Sequence, residues 1–271
     1  MTATAQAEPL ADAPVLHRRD ERGVHWITLN QPRAFNVLSE EVLADLQRQL
    51  DAIAADAGAR VLVIGAEGKA FCAGHDLKQM KASPRLDYYQ ALFAQCSQVM
   101  LSILKLPVPV IARVQGLATA AGCQLVAQCD MAVAVDSARF GVNGIDVGLF
   151  CSTPSVPLVR NMQPKQAMEM LVTGGFISAD EARARGLVNR VVPADGLDAA
   201  VDEWVRAILA KPREAIAAGK ELFYRQRELG IEAAYQLAGQ AMACNMMWDV
   251  AQEGVQAFID KRPPSWRSSG Q

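Results

Sequence analysis

The sequence is poor in the residues from which metal and nucleotide sites are built. It holds three histidines, His17, His25 and His75, with no H-x-x-x-H pair among them, so no zinc-ligand spacing is present. Its six cysteines, Cys72, Cys96, Cys123, Cys129, Cys151 and Cys244, form no C-x-x-C. Most lie in apolar runs, which reads as buried free thiols in a reducing compartment rather than a disulfide framework. Neither sign of charge dominates: 27 basic residues face 29 acidic ones, for a net charge of −2. Neither a nucleic-acid stripe nor a polybasic membrane patch is expected. Long apolar runs are missing too. The longest charge-free stretch near the middle, Val114 to Cys129, has 16 residues and includes Gln115, Gln124, Gln128 and two glycines. It is too short and too polar to cross a bilayer.

Nucleotide and hydrolase signatures fail as well. Gly68-Lys69 would need a glycine at Val63 and a Ser or Thr at Ala70 to form a phosphate loop. No G-x-G-x-x-G follows a strand and no G-x-S-x-G occurs, which leaves a dinucleotide site and a nucleophile elbow unsupported. Residues 1–14, MTATAQAEPLADAP, contain two acids and no Lys or Arg. They resemble neither a secretion signal nor an Arg-rich transit peptide and read as a loose arm. With the free thiols, this leads to an expectation of cytoplasmic residence.

What is present is a sizeable core. Hydrophobic residues make up 51% of 271 positions and charged ones 21%, so the chain is globular, with one or two domains. Apolar runs of strand length recur at Val24–Leu29, Val61–Ile64, Val108–Ala112, Met131–Val135 and Val188–Val192. Val42, Leu46, Leu50 and Ile53 fall on one helical face, with Ser39 as N-cap and Glu40 and Glu41 in the first turn. Ser178 and Glu181 have capping-box spacing before a short helix ending near Gly186. From about Leu197 the strands stop. Helices are expected over 197–210, 213–229, 231–247 and 251–260, closed by Pro263-Pro264. The fold class is α/β: a loose arm (1–14), a mixed body (15–196) and an all-helical segment (197–271).

Two segments combine glycine and small residues beside buried strands. Ala70-Phe71-Cys72-Ala73-Gly74-His75-Asp76-Leu77 follows one strand; Gly116 to Leu125 follows another and runs into an apolar helix. Small residues at a helix start let a ligand approach the backbone. The free N–H groups there stabilise negative charge. Two of them converging on one oxygen make an oxyanion hole.

These segments resemble the enoyl-CoA hydratase/isomerase (crotonase) superfamily, and the resemblance covers nearly the whole chain. Asn30-Gln31-Pro32-Arg33-Ala34-Phe35-Asn36 is similar to its N-x-P-[KR]-x-x-N element, and Phe71 to Leu77 to its first oxyanion loop. Phe176 to Ala182 with Gly186-Leu187-Val188 resembles its I-[ST]-A-x-x-A-x-x-x-G-L-V segment. Gln252-Glu253-Gly254 to Lys261-Arg262-Pro263 resembles its C-terminal ending. The resemblance implies a spiral of repeated β-β-α units with C-terminal helices for oligomerisation, as a trimer or a dimer of trimers. It also implies an acyl-CoA thioester as substrate, with coenzyme A part of the substrate and no further cofactor or metal. The thioester oxygen would lie between the backbone N–H groups of His75 and Ala121. The coenzyme would run along Arg33, Ala34, Ala73, Gly74, His75, Asp76, Leu77 and Gly122. Lys261 would reach its phosphate from a neighbouring subunit.

The sequence departs from that family where proton transfer is done. Its hydratases use two glutamates, at positions that here hold Gln124 and Gly144. An amide has no accessible pKa and glycine has no side chain. Asp146, Ser152 and Cys151 are the nearby candidates for substitute chemistry, and the His75 imidazole is a further titratable group. The expectation is an acyl-CoA-binding protein, nominally an enoyl-CoA hydratase in fatty-acid metabolism, holding a thioester enolate in a two-amide hole. Two alternatives accompany it: a weak or inactive acyl-CoA scaffold or sensor, and another reaction of the family such as isomerisation, decarboxylation or thioester hydrolysis. Restoring both carboxylates, Gln124→Glu with Gly144→Glu, is expected to raise hydration.

Overall fold

The computed structural model describes residues 13–268; most of the expected N-terminal arm lies outside the described residues. Ten strands divide between two sheets. The chain runs β1 (Val15–Arg19), β2 (Val24–Leu29), α1 (Glu40–Ala55), β3 (Val61–Ala66), β4 (Ala70–Cys72), α2 (Leu77–Ala82) and α3 (Leu86–Lys105). It continues through β5 (Val110–Val114), β6 (Leu117–Thr119), α4 (Ala121–Gln128), β7 (Met131–Val135), β8 (Arg139–Gly141), α5 (Ser152–Asn161) and α6 (Pro164–Thr173). Then come β9 (Ile177–Ser178), α7 (Ala179–Ala184) and β10 (Arg190–Val192). The helices α8 (Leu197–Leu209), α9 (Arg213–Gln226), α10 (Ile231–Met246), α11 (Asp249–Ile259) and α12 (Ser265–Ser268) complete it.

The larger sheet has the order β1-β2-β3-β5-β7-β10, the smaller β4-β6-β8-β9. Within each sheet every pairing is parallel except β1 with β2 and β8 with β9. Three times in succession a strand enters the large sheet, the next enters the small one, and helix follows. That alternation is the expected β-β-α spiral. All six residues of β3 are buried, as a parallel strand covered on both faces requires.

Local chemistry sets the element ends. Ser39 caps α1 by accepting from the Val42 N–H at 3.2 Å, and Val42, Leu46, Leu50 and Ile53 are all buried. Ser178 and Glu181 close a full capping box on α7. The expected strand at Val108 begins instead at Val110, because Pro109 has no N–H to give a ladder. The diproline at 263–264 does not end the chain's helical structure, since α12 follows it.

The helical segment is clamped to the spiral by one buried pair. Lys220 on α9 lies 2.7 Å from Asp130 and donates to the carbonyls of Ile103 and Val108. Tyr224 donates to the other Asp130 oxygen at 2.7 Å. Beyond that clamp, α10 and α11 leave Ile231, Tyr235, Met242, Met247, Phe258 and Ile259 exposed. Among the described residues no helix is long and apolar enough to cross a membrane.

Candidate active site

The two glycine-bearing segments meet at one point. Gly74 has φ of 89°, and a Cβ there would sit 3.2 Å from the Ala121 nitrogen. A Cβ on Gly122 would sit 2.1 Å from the Cys72 carbonyl oxygen, so α4 begins pressed against the end of β4. Ala120, just before α4, has φ of 50°, an uncommon conformation for alanine that points to a constrained turn.

The loop before Gly74 is tied from below by Asn36. This residue is buried at φ 53°, in the left-handed region that asparagine tolerates. Its Oδ1 accepts from the Gln31 N–H at 2.8 Å, and its Nδ2 donates to the carbonyls of Glu67 and Ala70. Ala73 then donates to the Phe35 carbonyl at 3.0 Å, and Leu38 to that of Gly74 at 2.8 Å. Arg33 and Ala34 are exposed on the turn beside this loop. Asp76 is the N-cap of α2 and accepts from Lys78 and Gln79.

With those contacts made, the backbone N–H groups of His75 and Ala121 have no carbonyl acceptor among the described residues. Ala121 is the first residue of α4, whose N–H has no partner within the helix. Both residues line one cavity of about 390 Å³. Ala73, Leu77, Phe93, Thr119, Asn143 and Phe150 also line it. Leu77, Val147, Leu149 and Phe150 are exposed and give it an apolar rim. Thr119 donates to the Asn143 Oδ1 at 2.6 Å.

The imidazole of His75 is not free to act. Its Nδ1 donates to the Leu38 carbonyl at 3.3 Å, its ring packs edge-on against Phe93, and its Nε2 is enclosed without a partner. Burial holds its pKa below the usual histidine value, so the ring is neutral near pH 7.

The two positions that the resemblance assigns to glutamates differ from each other. A Cβ at Gly144 would meet the Leu149 carbonyl oxygen at 2.4 Å and Cys151 Sγ at 2.8 Å. A side chain there requires the backbone at Leu149 to shift, which argues against Gly144→Glu restoring an acid. Gln124 is buried at 3% exposure and its Oε1 has no hydrogen-bond partner. It does not line the cavity of His75 and Ala121 but an adjoining one, and Thr153 lines both.

The other candidates separate. Cys151 and Ser152 line the first cavity. Burial raises the Cys151 pKa, and Ser152 only donates to the Phe150 carbonyl at 3.3 Å. Asp146 is absent from the lining; a Cβ at Gly174 would lie 2.6 Å from its Oδ1, so it packs against the end of α6. Lys261 lies in a separate groove with Lys211 and Trp266. Sequence reasoning passed over Thr119, Asn143 and Gln128 as functional residues. The spacing of Gln124 and Gln128, one turn apart on a helix, was the available signal.

The sequence pattern of the enoyl-CoA hydratase/isomerase family matches residues 19–269. The chain belongs to that family. The rat enoyl-CoA hydratase domain-containing protein 3, a mitochondrial protein by name, is 44% identical over 96% of this chain and 87% of its own length. The human protein of that name is 45% identical over 90% and 80%. A solved Mycobacterium smegmatis enoyl-CoA hydratase superposes with a TM-score of 0.93 at 59% identity, covering 94% and 99%. The human domain-containing protein 3 structure gives 0.90 at 44%, covering 93% and 100%. The crotonase fold expected from the motifs is therefore that of this chain. The cytoplasmic expectation is corrected, because the relatives called enoyl-CoA hydratase domain-containing protein 3 are named mitochondrial. Free thiols suit any reducing compartment and never distinguished the two.

Proposed function

We propose that this family member binds the acyl part of a coenzyme A thioester in the cavity of His75 and Ala121, with the thioester oxygen between their N–H groups. The observation that carries this reading is the pair of main-chain donors without a carbonyl acceptor among the described residues, opening on one apolar-rimmed cavity. Such donors stabilise the negative charge that develops on the oxygen when a thioester becomes an enolate. Arg33 and Ala34, on the exposed turn beside the loop, suit the coenzyme.

Hydration needs a base for water and an acid for the α-carbon. Gln124 carries no titratable proton, Gly144 has no side chain, and the His75 ring is enclosed. Positioned acid–base groups typically contribute about 10²–10⁴-fold, so hydratase turnover is feeble and binding is retained. The same facts favour the second reading, an acyl-CoA-binding scaffold. Crotonyl-CoA separates them from an ordinary hydratase: it binds, and its conjugated thioester absorbance decays far more slowly than with a two-glutamate relative. Rapid decay at ordinary enzyme concentration overturns the reading. The exposed apolar side chains of α10 and α11 favour assembly with further copies of the chain, as a trimer or a dimer of trimers. Light scattering showing only monomer contradicts that part.

A further inference from the structure

The second cavity, about 400 Å³, adjoins the first at Thr153. One wall is apolar: Met100, Leu101, Leu104 and Val156. The helix α4 also lines it, with Gln124 and Gln128. Both glutamines are buried, and the Gln124 Oε1 is enclosed without a hydrogen-bond partner among the described residues. Gln128 stands one turn beyond Gln124, about 6 Å further along the helix axis. Burying an unpaired amide oxygen costs on the order of 1–3 kcal/mol, so the Gln124 carboxamide, with a second one turn away on the same helix, is not what a chamber for plain hydrocarbon requires. Each carboxamide offers two donor protons and an acceptor oxygen. At the rim, Arg160 is paired with Glu228 at 3.4 Å, whereas Arg227 makes no ion pair among the described residues.

We propose that this cavity receives the far part of the acyl group and selects for an oxygen function on it, held by the carboxamides of Gln124 and Gln128. The inference rests on the thioester reading above and adds the substrate class: an acyl thioester whose chain carries a hydroxyl or a carboxylate beyond the reacting carbons. An alkyl tail would leave the Gln124 oxygen unpaired; an oxygenated tail satisfies the carboxamide. Arg227 donates to the Arg160 carbonyl and lies over the Phe223 ring; with no carboxylate partner among the described residues, it makes the rim receptive to a negative group.

The test is a calorimetric comparison of hexanoyl-CoA, 6-hydroxyhexanoyl-CoA and adipoyl-CoA on the full-length protein. The expected result is that at least one oxygenated probe binds about tenfold or more tightly than hexanoyl-CoA. The same comparison on Gln124→Leu and Gln128→Leu is expected to remove or reverse that preference while hexanoyl-CoA affinity holds or improves. Tightest binding of the hydroxyl probe points to the amides alone; tightest binding of adipoyl-CoA adds Arg227, and Arg227→Ala then lowers its affinity. Equal affinities, or hexanoyl-CoA tightest, overturn the inference and leave the thioester reading standing. Failure of all three to bind overturns both. The unmodified protein settles the preference even where a leucine variant does not fold.

Discussion

The sulfur of Cys151 rests where a side chain on Gly144 would begin. A Cβ there would lie 2.8 Å from Sγ and 2.4 Å from the Leu149 carbonyl oxygen, so the segment 149–151 covers the position that the resemblance assigns to a glutamate. Gly144→Glu is therefore expected to destabilise the fold by at least ~1–3 kcal/mol, as overpacking does, and to give no gain in hydration. Thermal denaturation and the crotonyl-CoA absorbance assay read the two effects. A stable, faster variant would contradict the packing argument. Cys151→Ala does not rescue it, because the carbonyl contact is backbone.

The proposed oxyanion pair is made of backbone, so side chains beside it matter unequally. Gly122→Ala drives a methyl into the Cys72 carbonyl and is expected to lower acyl-CoA affinity by tenfold or more. His75→Ala keeps its N–H and is expected to change affinity by less than tenfold, although it loses the Phe93 contact. Titration calorimetry on both checks the ordering; the reverse order would assign the binding to the imidazole.

Asn36 anchors the loop by three hydrogen bonds at positive φ. Asn36→Ala strands the Gln31 N–H and the Glu67 carbonyl, leaves the Ala70 carbonyl with Gln115 alone, and places alanine in the left-handed region. A loss of ~2–4 kcal/mol is expected from unpaired buried groups and strain, read as a lowered urea midpoint. A shift under about 0.5 kcal/mol, the range of ordinary surface changes, would show that the loop holds without it.

The Lys220–Asp130 clamp holds α9 to the spiral. Lys220→Met leaves Asp130 buried beside Tyr224 without its cation, a change that typically costs about 3–5 kcal/mol. Denaturant unfolding measures it, and an unchanged midpoint would mean that the helical segment docks by other contacts.

Acid is expected to weaken the fold before the carboxylates titrate. His17 donates from Nε2 to His25 Nδ1 at 2.9 Å, and His25 donates to Asp56 at 3.0 Å. Burial, then the neighbouring His25, holds the His17 pKa at about 4, and burial also lowers His25 and His75. Between pH 6.5 and about 4 the unfolded chain binds a proton at His17 that the folded chain refuses, so stability falls as pH falls. Below about 4 the His17 contribution levels off. Urea midpoints across this range are expected to drop, less steeply for His17→Gln. Stability that is flat or rising toward pH 4 would contradict it.

Long apolar elements were legible in the sequence, and short polar geometry was not. Val24–Leu29 and Met131–Val135 are strands at the expected bounds, because continuous apolar runs leave little else for them to be. The smaller sheet was illegible: β4, β6 and β8 have three residues each, too few to show a period. The helix α3, the longest at 20 residues, was also passed over. The motifs singled out both segments for a ligand approaching the backbone, but not the close approach of Gly74 to Ala121. That Gln124 faces a second cavity together with Gln128, that Asp146 packs away from the first, and that Gly144 is covered by Cys151 are consequences of tertiary packing. Spacing along the chain carries no trace of them.

The account stands on the N–H groups of His75 and Ala121 holding one thioester oxygen. Isotope-edited infrared spectroscopy of crotonyl-CoA labelled with ¹³C at the thioester carbonyl observes that bond directly when it is bound to the protein. Two hydrogen bonds to the oxygen are predicted to move the carbonyl stretch to lower frequency than in water, and Gly122→Ala to abolish the shift in whatever ligand still binds. A bound thioester whose carbonyl band stays at its solution position would contradict the account.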